Sequence, residues 1–307
     1  MAAERFERVA VLGLGLLGGS LAGAVRRRGA ARRVAGATRD AEARAAALRR
    51  GLCDEVGSYR EAVAGADLVV LATPVFAMPQ VLREVAGALR EGALVTDVGS
   101  VKGLLAETLP GLLPEGARYV GSHPMAGSHE RGLEHARDDL FEGVACIVSE
   151  GGDSAAAERV CGFWRALGAR VVRRPASLHD AEVAWMSHVP HVLAFAFAGA
   201  LAGAPEGAAE VAGAGFRDFT RIAQSSPELW GDILTANRKA CAAPLQAVAA
   251  ALAELSRAIE SNDAEAVERW IAEARENLRR ALPAGAPRAS IPASPEGRPE
   301  RRTNGCA

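Results

Sequence analysis

Between residues 9 and about 173, short β-branched runs alternate with amphipathic stretches rich in Ala, Leu and Arg. The runs at 9–12, 33–37, 68–72, 94–97, 119–121, 144–148 and 170–172 read as strands. Alternation of this kind predicts a parallel sheet covered by helices on both faces. Right-handed crossovers make it doubly wound. After Pro175 no convincing strand follows. Residues 178–202 read as one apolar helix, kinked at Pro190 where a backbone donor is missing. Short helices broken at Gly215 and at Ser226-Pro227 come next. Two amphipathic helices follow at about 239–259 and 264–281, with Asn262-Asp263 as turn and helix start between them. The expected architecture is an α/β domain over 1–174 and an all-helical domain over 175–282. The tail, 283–307, has five prolines, few large apolar residues and a basic run near Arg301, and reads as disordered.

A length of 307 residues suits two domains rather than one core. The net charge of −1, from 36 Lys+Arg against 37 Asp+Glu, argues against nucleic-acid binding, which needs a surplus of cations. A small anion held by one or two arginines is still compatible with it. The five cysteines are scattered without a CxxC pair, so neither a zinc ribbon nor a disulfide framework is indicated. A reducing, cytoplasmic setting is expected. The start MAAERFER has no apolar leader. Residues 189–204 are apolar, but they contain Pro190 and fall short of the ~18 residues of a membrane span. A buried helix and no membrane are expected. A helical section this apolar also points to a dimer interface.

The first strand runs directly into Gly13-Leu14-Gly15-Leu16-Leu17-Gly18, and a helix follows. Each glycine has its own task. Gly13 permits a tight turn, Gly15 lets backbone approach a pyrophosphate, and Gly18 lets helix and strand pack closely. The phosphates then meet unpaired N–H groups at the positive end of the helix. This context makes the first domain Rossmann-type. An acid that holds the ribose of NAD is expected about 20 positions on. The second strand ends at Thr38-Arg39-Asp40. Thr38 and Arg39 suit a 2′-phosphate, favouring NADP+ over NAD+. Asp40 becomes the acid if the register shifts by two. Thr73-Pro74 ends another strand, and either passes beneath the cofactor or simply stops the strand.

Two further segments fall at strand ends, where open α/β sheets bind ligands. Ser100 lies in one, at an expected helix start, where a plain N-cap is the alternative. His123 lies in the other, before a Pro-containing loop, and is a candidate base. His188 and His191, three apart on the long helix, share a face. A metal pair lacks a third ligand there; a cavity wall or simple packing fits both. Arg217, Asp218 and Arg221 stand in an otherwise apolar segment. A buried arginine needs a partner, either Asp218 or a substrate carboxylate. Trp230 is a candidate wall for a flat ring.

In order, GLGLLGGS, LVVLATPV, TDVGSVKG, GSHPMAGS, SHVPH and GFRDFTRIA with a tryptophan nine residues on resemble the prephenate/arogenate dehydrogenases, from about Val9 to Leu282. The resemblance implies an N-terminal doubly wound Rossmann-type domain and an all-helical dimerisation domain forming a homodimer. It implies oxidative decarboxylation of a small dicarboxylate, prephenate or arogenate, with hydride transfer to NAD(P)+, in tyrosine biosynthesis. His123 would accept the hydroxyl proton, with Ser100 orienting it. Arg221, His191, His188 and Trp230 would bind substrate, with Asp218 an ionic partner near Arg221. Gly13 to Gly18, Thr38, Arg39, Thr73 and Pro74 would bind cofactor. Where many members carry Glu, this chain has His129, which puts in doubt any gating by that acid. Some members continue into an ACT domain; here feedback by tyrosine, where it operates, is expected at the active site. Two other readings remain. A β-hydroxyacid or imine-reducing dehydrogenase shares the glycine loop but lacks the HPMAG and FRDFTRI pairing. A non-catalytic dinucleotide sensor would not need Ser100, His123, His191 and Arg221 together.

Overall fold

The computed structural model describes residues 5–127 and 130–282. His129, Cys306 and the tail expected to be disordered lie outside the described residues. Strands β1 (Phe6–Leu12), β2 (Ala31–Ala37), β3 (Glu55–Gly57), β4 (Leu68–Leu71), β5 (Leu94–Asp97) and β6 (Arg118–Tyr119) form one parallel sheet in the order 3-2-1-4-5-6. Alternate residues of β1 serve opposite faces. Val9 and Val11 pack with α1 (Leu16–Arg28), while Ala10 and Leu12 pack on the other side. Both faces are covered, which is why these strands read as unbroken apolar runs. The helices α2 (Ala41–Arg49), α3 (Tyr59–Val63), α4 (Met78–Val85) and α5 (Gly103–Thr108) complete the crossovers.

Two features differ from the sequence reading. The three-residue strand β3 is too short to show a period and was not expected. The last strands do not extend the parallel sheet. Instead β7 (Ser122–Pro124), β8 (Ala145–Glu150) and β9 (Arg170–Pro175) form a separate sheet, with β7 antiparallel to β8 and β8 parallel to β9. The cause lies at Asp97. Val120 still donates to Val95 O, but the Ser122 N–H donates to Asp97 Oδ1 at 3.1 Å and its hydroxyl to Asp97 O at 2.5 Å. The chain thereby leaves the ladder at the sheet's carboxyl end, and helix α6 (Ser154–Ala166) packs beside β8 and β9.

Beyond β9 the described residues are helical. Helix α7 (Ala176–Val183) leads through a π-helical turn at Ala184–His188 into α8 (Val189–Ala200). The widened turn falls just before Pro190, where a regular helical bond is impossible. Then come α9 (Ala214–Arg221), α10 (Pro227–Ala236), α11 (Arg238–Glu260) and α12 (Ala264–Ala281). By its internal contacts the chain divides into two compact units at Ala249/Ala250. The first holds both sheets and every site residue discussed below. The second holds the last part of α11 and α12, where Asp263 caps α12 by accepting from Ala266 N at 2.9 Å.

The expected buried helix is a correction. The helical run Ala176–Gly203 is long and apolar enough to cross a membrane, and little of it is buried within the chain. Leu178, Trp185, Met186 and Phe197 are exposed on it, as are Phe216 and Phe219 on α9. Three of its polar residues face inward instead: His179, Asp180 and His188 are buried.

The sheet end is held by a buried ion pair. Lys102 Nζ bonds Asp97 Oδ2, both side chains have 0% exposure, and the ammonium also donates to Ser122 O at 2.9 Å. Tyr119 Oη donates to Asp97 Oδ1 at 2.8 Å, and Gly99 N to Oδ2 at 2.8 Å. Lys102→Met strands a buried carboxylate and should cost about 3–5 kcal/mol in urea unfolding. Arg32→Ala, at an exposed pair with Glu7, should leave the midpoint unchanged.

Candidate active site

The turn after β1 is made by absent side chains. Gly13 has φ +107°, and a Cβ there would stand 2.6 Å from Ala72 O. A Cβ on Gly18 would overlap the Gly13 carbonyl and meet Ala72 Cβ at 3.1 Å. A Cβ on Gly15 would meet nothing within 4 Å. Gly15 is the N-cap of α1 and brings no side chain to the free N–H groups of its first turn. That is the open, donor-rich floor an anionic phosphate needs. The groove above it has a volume of about 940 Å³ and is lined by Gly13, Leu14, Gly15, Thr38, Arg39, Thr73 and Pro74, among others. Asp40 also borders it, but its carboxylate caps α2, accepting from Glu42 N at 2.8 Å and Ala43 N at 3.1 Å. Thr38 is the residue that directly follows β2. Arg39 lies over the Tyr59 ring, 6.0 Å from its centroid.

A second cavity of about 650 Å³ shares Gly15, Thr73 and Pro74 with the groove. Leu16, Leu17, Ser100, His123, His191, Arg221 and Trp230 line it. At the seam, Thr73 Oγ1 is buried without a partner among the described residues. An orphaned hydroxyl between a phosphate-sized floor and a polar cavity fits a bound dinucleotide.

His123 stands on β7, 8% exposed, and its Nδ1 lies 2.8 Å from His179 Nε2. Burial, then the neighbouring His179, Lys102 and His188, hold its pKa well below the ordinary imidazole value. It is a neutral ring at neutral pH. His191 Nδ1 donates to Ser187 O at 2.8 Å, and its ring stacks on Trp230 at 3.7 Å between centroids. Burial, with some help from Arg221, lowers its pKa as well.

Of the residues anticipated at the site, three lie elsewhere. His188 is 1% exposed, set edge-on to Trp230, and takes a hydrogen bond from Asn237 Nδ2 at 3.0 Å, so it supports the cavity without lining it. Burial pushes its pKa down to about 4. Asp218 is exposed on α9, does not line the cavity, and forms no ion pair with Arg221 among the described residues. Gly18 lines neither cavity and acts through packing. Ser100 is no N-cap, because α5 begins at Gly103 with Lys102 before it. Sequence reasoning missed His179, Asp180 and Asn237. The available signal was a pair of adjacent titratable residues, His179-Asp180, inside an otherwise apolar helix.

The fold and the paired cavities define a two-part dinucleotide-binding protein of the Rossmann type. Residues 21–173 match the family model "Prephenate dehydrogenase, nucleotide-binding domain", and residues 175–273 match "Prephenate dehydrogenase, dimerization domain". The chain is similar to a cyclohexadienyl dehydrogenase of Zymomonas mobilis, 33% identical over 85% of this chain and 91% of the relative. It is 35% identical to a prephenate dehydrogenase of Bacillus subtilis over 76% of this chain, but spans only 64% of that relative's length. A crystal structure of the Aquifex aeolicus prephenate dehydrogenase, in complex with hydroxyphenyl propionate and NAD+, superimposes with a TM-score of 0.83. It is 30% identical and covers 91% of this chain and 99% of that one. The chain belongs to the prephenate dehydrogenase family.

Gly15→Val places a branched side chain on the open floor, with its Cβ clear of other residues. It should weaken dinucleotide binding by roughly 10–100-fold in calorimetric titration, about 1.4–2.8 kcal/mol, and leave the melting temperature nearly unchanged.

Proposed function

We propose that the chain catalyses oxidative decarboxylation of prephenate or arogenate with NAD(P)+, giving 4-hydroxyphenylpyruvate or tyrosine. The observation that carries this is the convergence of Ser100, His123, His191, Arg221 and Trp230 on one cavity that opens into the dinucleotide groove. Bound NAD(P)+ would supply the acceptor for the hydride leaving the ring carbon that bears the hydroxyl. Gly13, Leu14, Gly15, Leu16, Leu17, Thr38, Arg39, Thr73 and Pro74 would hold it.

The rest is the chain's own work. His123 takes the hydroxyl proton; the hydroxyl grows acidic as hydride departs, so a weak, neutral base suffices. Ser100 orients that exchange. The bond to the ring carboxylate then breaks, its electron pair aromatises the ring, and His123 returns the proton to the phenolate oxygen. Arg221 grips a carboxylate of the dianion. His191, held flat on Trp230, presents its free Nε2 edge to the substrate side chain. His188 and Asp218 act at a distance, one behind Trp230 and the other from the outer face of α9.

The NADP+ preference rests on Thr38 and Arg39 lining the groove while Asp40 is spent as a helix cap. A homodimer through the helical domain is supported by its exposed Trp185, Phe197, Phe216 and Phe219 and by the dimerization-domain match. The proposed division puts cofactor within 1–174 and substrate and dimerisation within 175–282, and the matches over 21–173 and 175–273 support it. Among the described residues, four buried free cysteines agree with a cytoplasmic setting.

The test is an absorbance assay crossing both substrates with NAD+ and NADP+. Turnover in at least one combination is expected, and silence in all four from folded, dinucleotide-binding protein overturns the reading. His123→Asn should lower kcat by about 10²–10⁴-fold with dinucleotide affinity unchanged. Arg39→Ser should raise the KM for NADP+ by about tenfold, one charge-assisted contact's worth, and spare NAD+. A wild-type enzyme that prefers NAD+ would refute the roles given to Thr38 and Arg39.

A further inference from the structure

His179 and Asp180 form a buried chain behind His123 that the proposed reaction has not yet used. Asp180 Oδ1 accepts from Lys102 N at 2.7 Å, and Oδ2 from Gly103 N at 2.8 Å. The same Oδ1 lies 2.8 Å from His179 Nδ1. A carboxylate that already takes two backbone N–H groups is held ionised, and its pKa is lowered despite burial. It is acceptor-only, so the hydrogen on this bond belongs to His179 Nδ1. A neutral His179 then has a bare Nε2. The 2.8 Å contact between that atom and His123 Nδ1 needs one hydrogen, and His123 must supply it. The Nε2 of His123, on a ring that lines the cavity, is thereby left as a lone pair.

We infer that His179 and Asp180 are a proton relay for His123, setting its tautomer and taking over the proton it abstracts. The inference rests on the dehydrogenase reading above. The bond changes balance. His123 Nε2 gains the substrate hydroxyl proton, the His123 Nδ1–H bond breaks, and that proton bonds to His179 Nε2. Net charge moves with it, leaving His123 neutral and His179 an imidazolium against the Asp180 carboxylate. The reverse passage returns a proton for the phenolate. Geometry favours this division of labour. His123 faces the Lys102 ammonium and His188, both of which oppose a cation there. His179 faces Asp180. The other titratable groups around the chain are Asp97, committed to Lys102 and Tyr119, and Cys146 and Cys241, whose thiols burial keeps protonated. His179 is 0% exposed, so its ring does not meet bulk solvent.

Two measurements decide it, on the full-length protein. The first needs no substrate. In ¹⁵N-histidine-labelled protein at neutral pH, His123 should show a protonated Nδ1 and a bare Nε2; a proton on Nε2 overturns the relay. The second compares His179→Gln and His179→Ala in whichever substrate and cofactor pair turns over. Glutamine can accept the His123 N–H through its carbonyl oxygen but cannot take a proton. Both variants should lose about 10²-fold in kcat, the scale of one general-base contribution, with KM for substrate and cofactor within about twofold. Added imidazole should restore part of the loss in the alanine variant. Wild-type kcat in His179→Gln would reduce His179 to a positioning group and refute the transfer. A silent wild type refutes the dehydrogenase reading, and the nitrogen shifts still judge the tautomer.

Discussion

The carboxylate of Asp97 is the point on which the catalytic end of the molecule hangs. It ends β5, accepts from Gly99 N, Tyr119 Oη and Ser122 N, and pairs with Lys102, the two charged side chains both fully buried. Each of these contacts fixes a different piece. Gly99 fixes the loop of Ser100, Ser122 turns β7 away from the sheet toward the cavity, and Lys102 presents its backbone N–H to Asp180. A buried charge with four satisfied partners has one low-energy arrangement, and one arrangement is what a base and its neighbours require.

The two halves of the site are built by opposite means. The dinucleotide groove is made by removing side chains, at Gly13, Gly15 and Gly18, so that backbone does the recognising. The second cavity is made by gathering side chains from β7, α8, α9 and α10, a loop after β5, and the seam at Thr73. Glycines at fixed spacing after a strand can be read along a chain. Side chains gathered from six places cannot, except by resemblance.

This explains what was legible. The strands β1, β2, β4 and β5, the turn at Gly13, the close packing at Gly18 and the limits of α12 were visible because each is a local pattern. The second sheet was not, because the reason for it is a contact between Ser122 and Asp97, 25 positions apart in sequence. His179 and Asp180 were hidden for the same reason. In a linear reading they are two polar residues at the start of an apolar helix, and only the fold brings His123 to them across 56 positions. His188 shows the converse: spacing put it beside His191 correctly, but Trp230 stands against both, and only His191 is on the cavity side.

The helical run Ala176–Gly203 carries buried imidazoles along one side and exposed Leu178, Trp185, Met186 and Phe197 along the other. Its inner side meets His123 and Trp230, and its outer side is left uncovered by the described residues. Whatever covers the outer side bears on the same backbone that holds His179 and His191. A partner seated there, and dilution that strips it away, would then reach the cavity as well as the assembly.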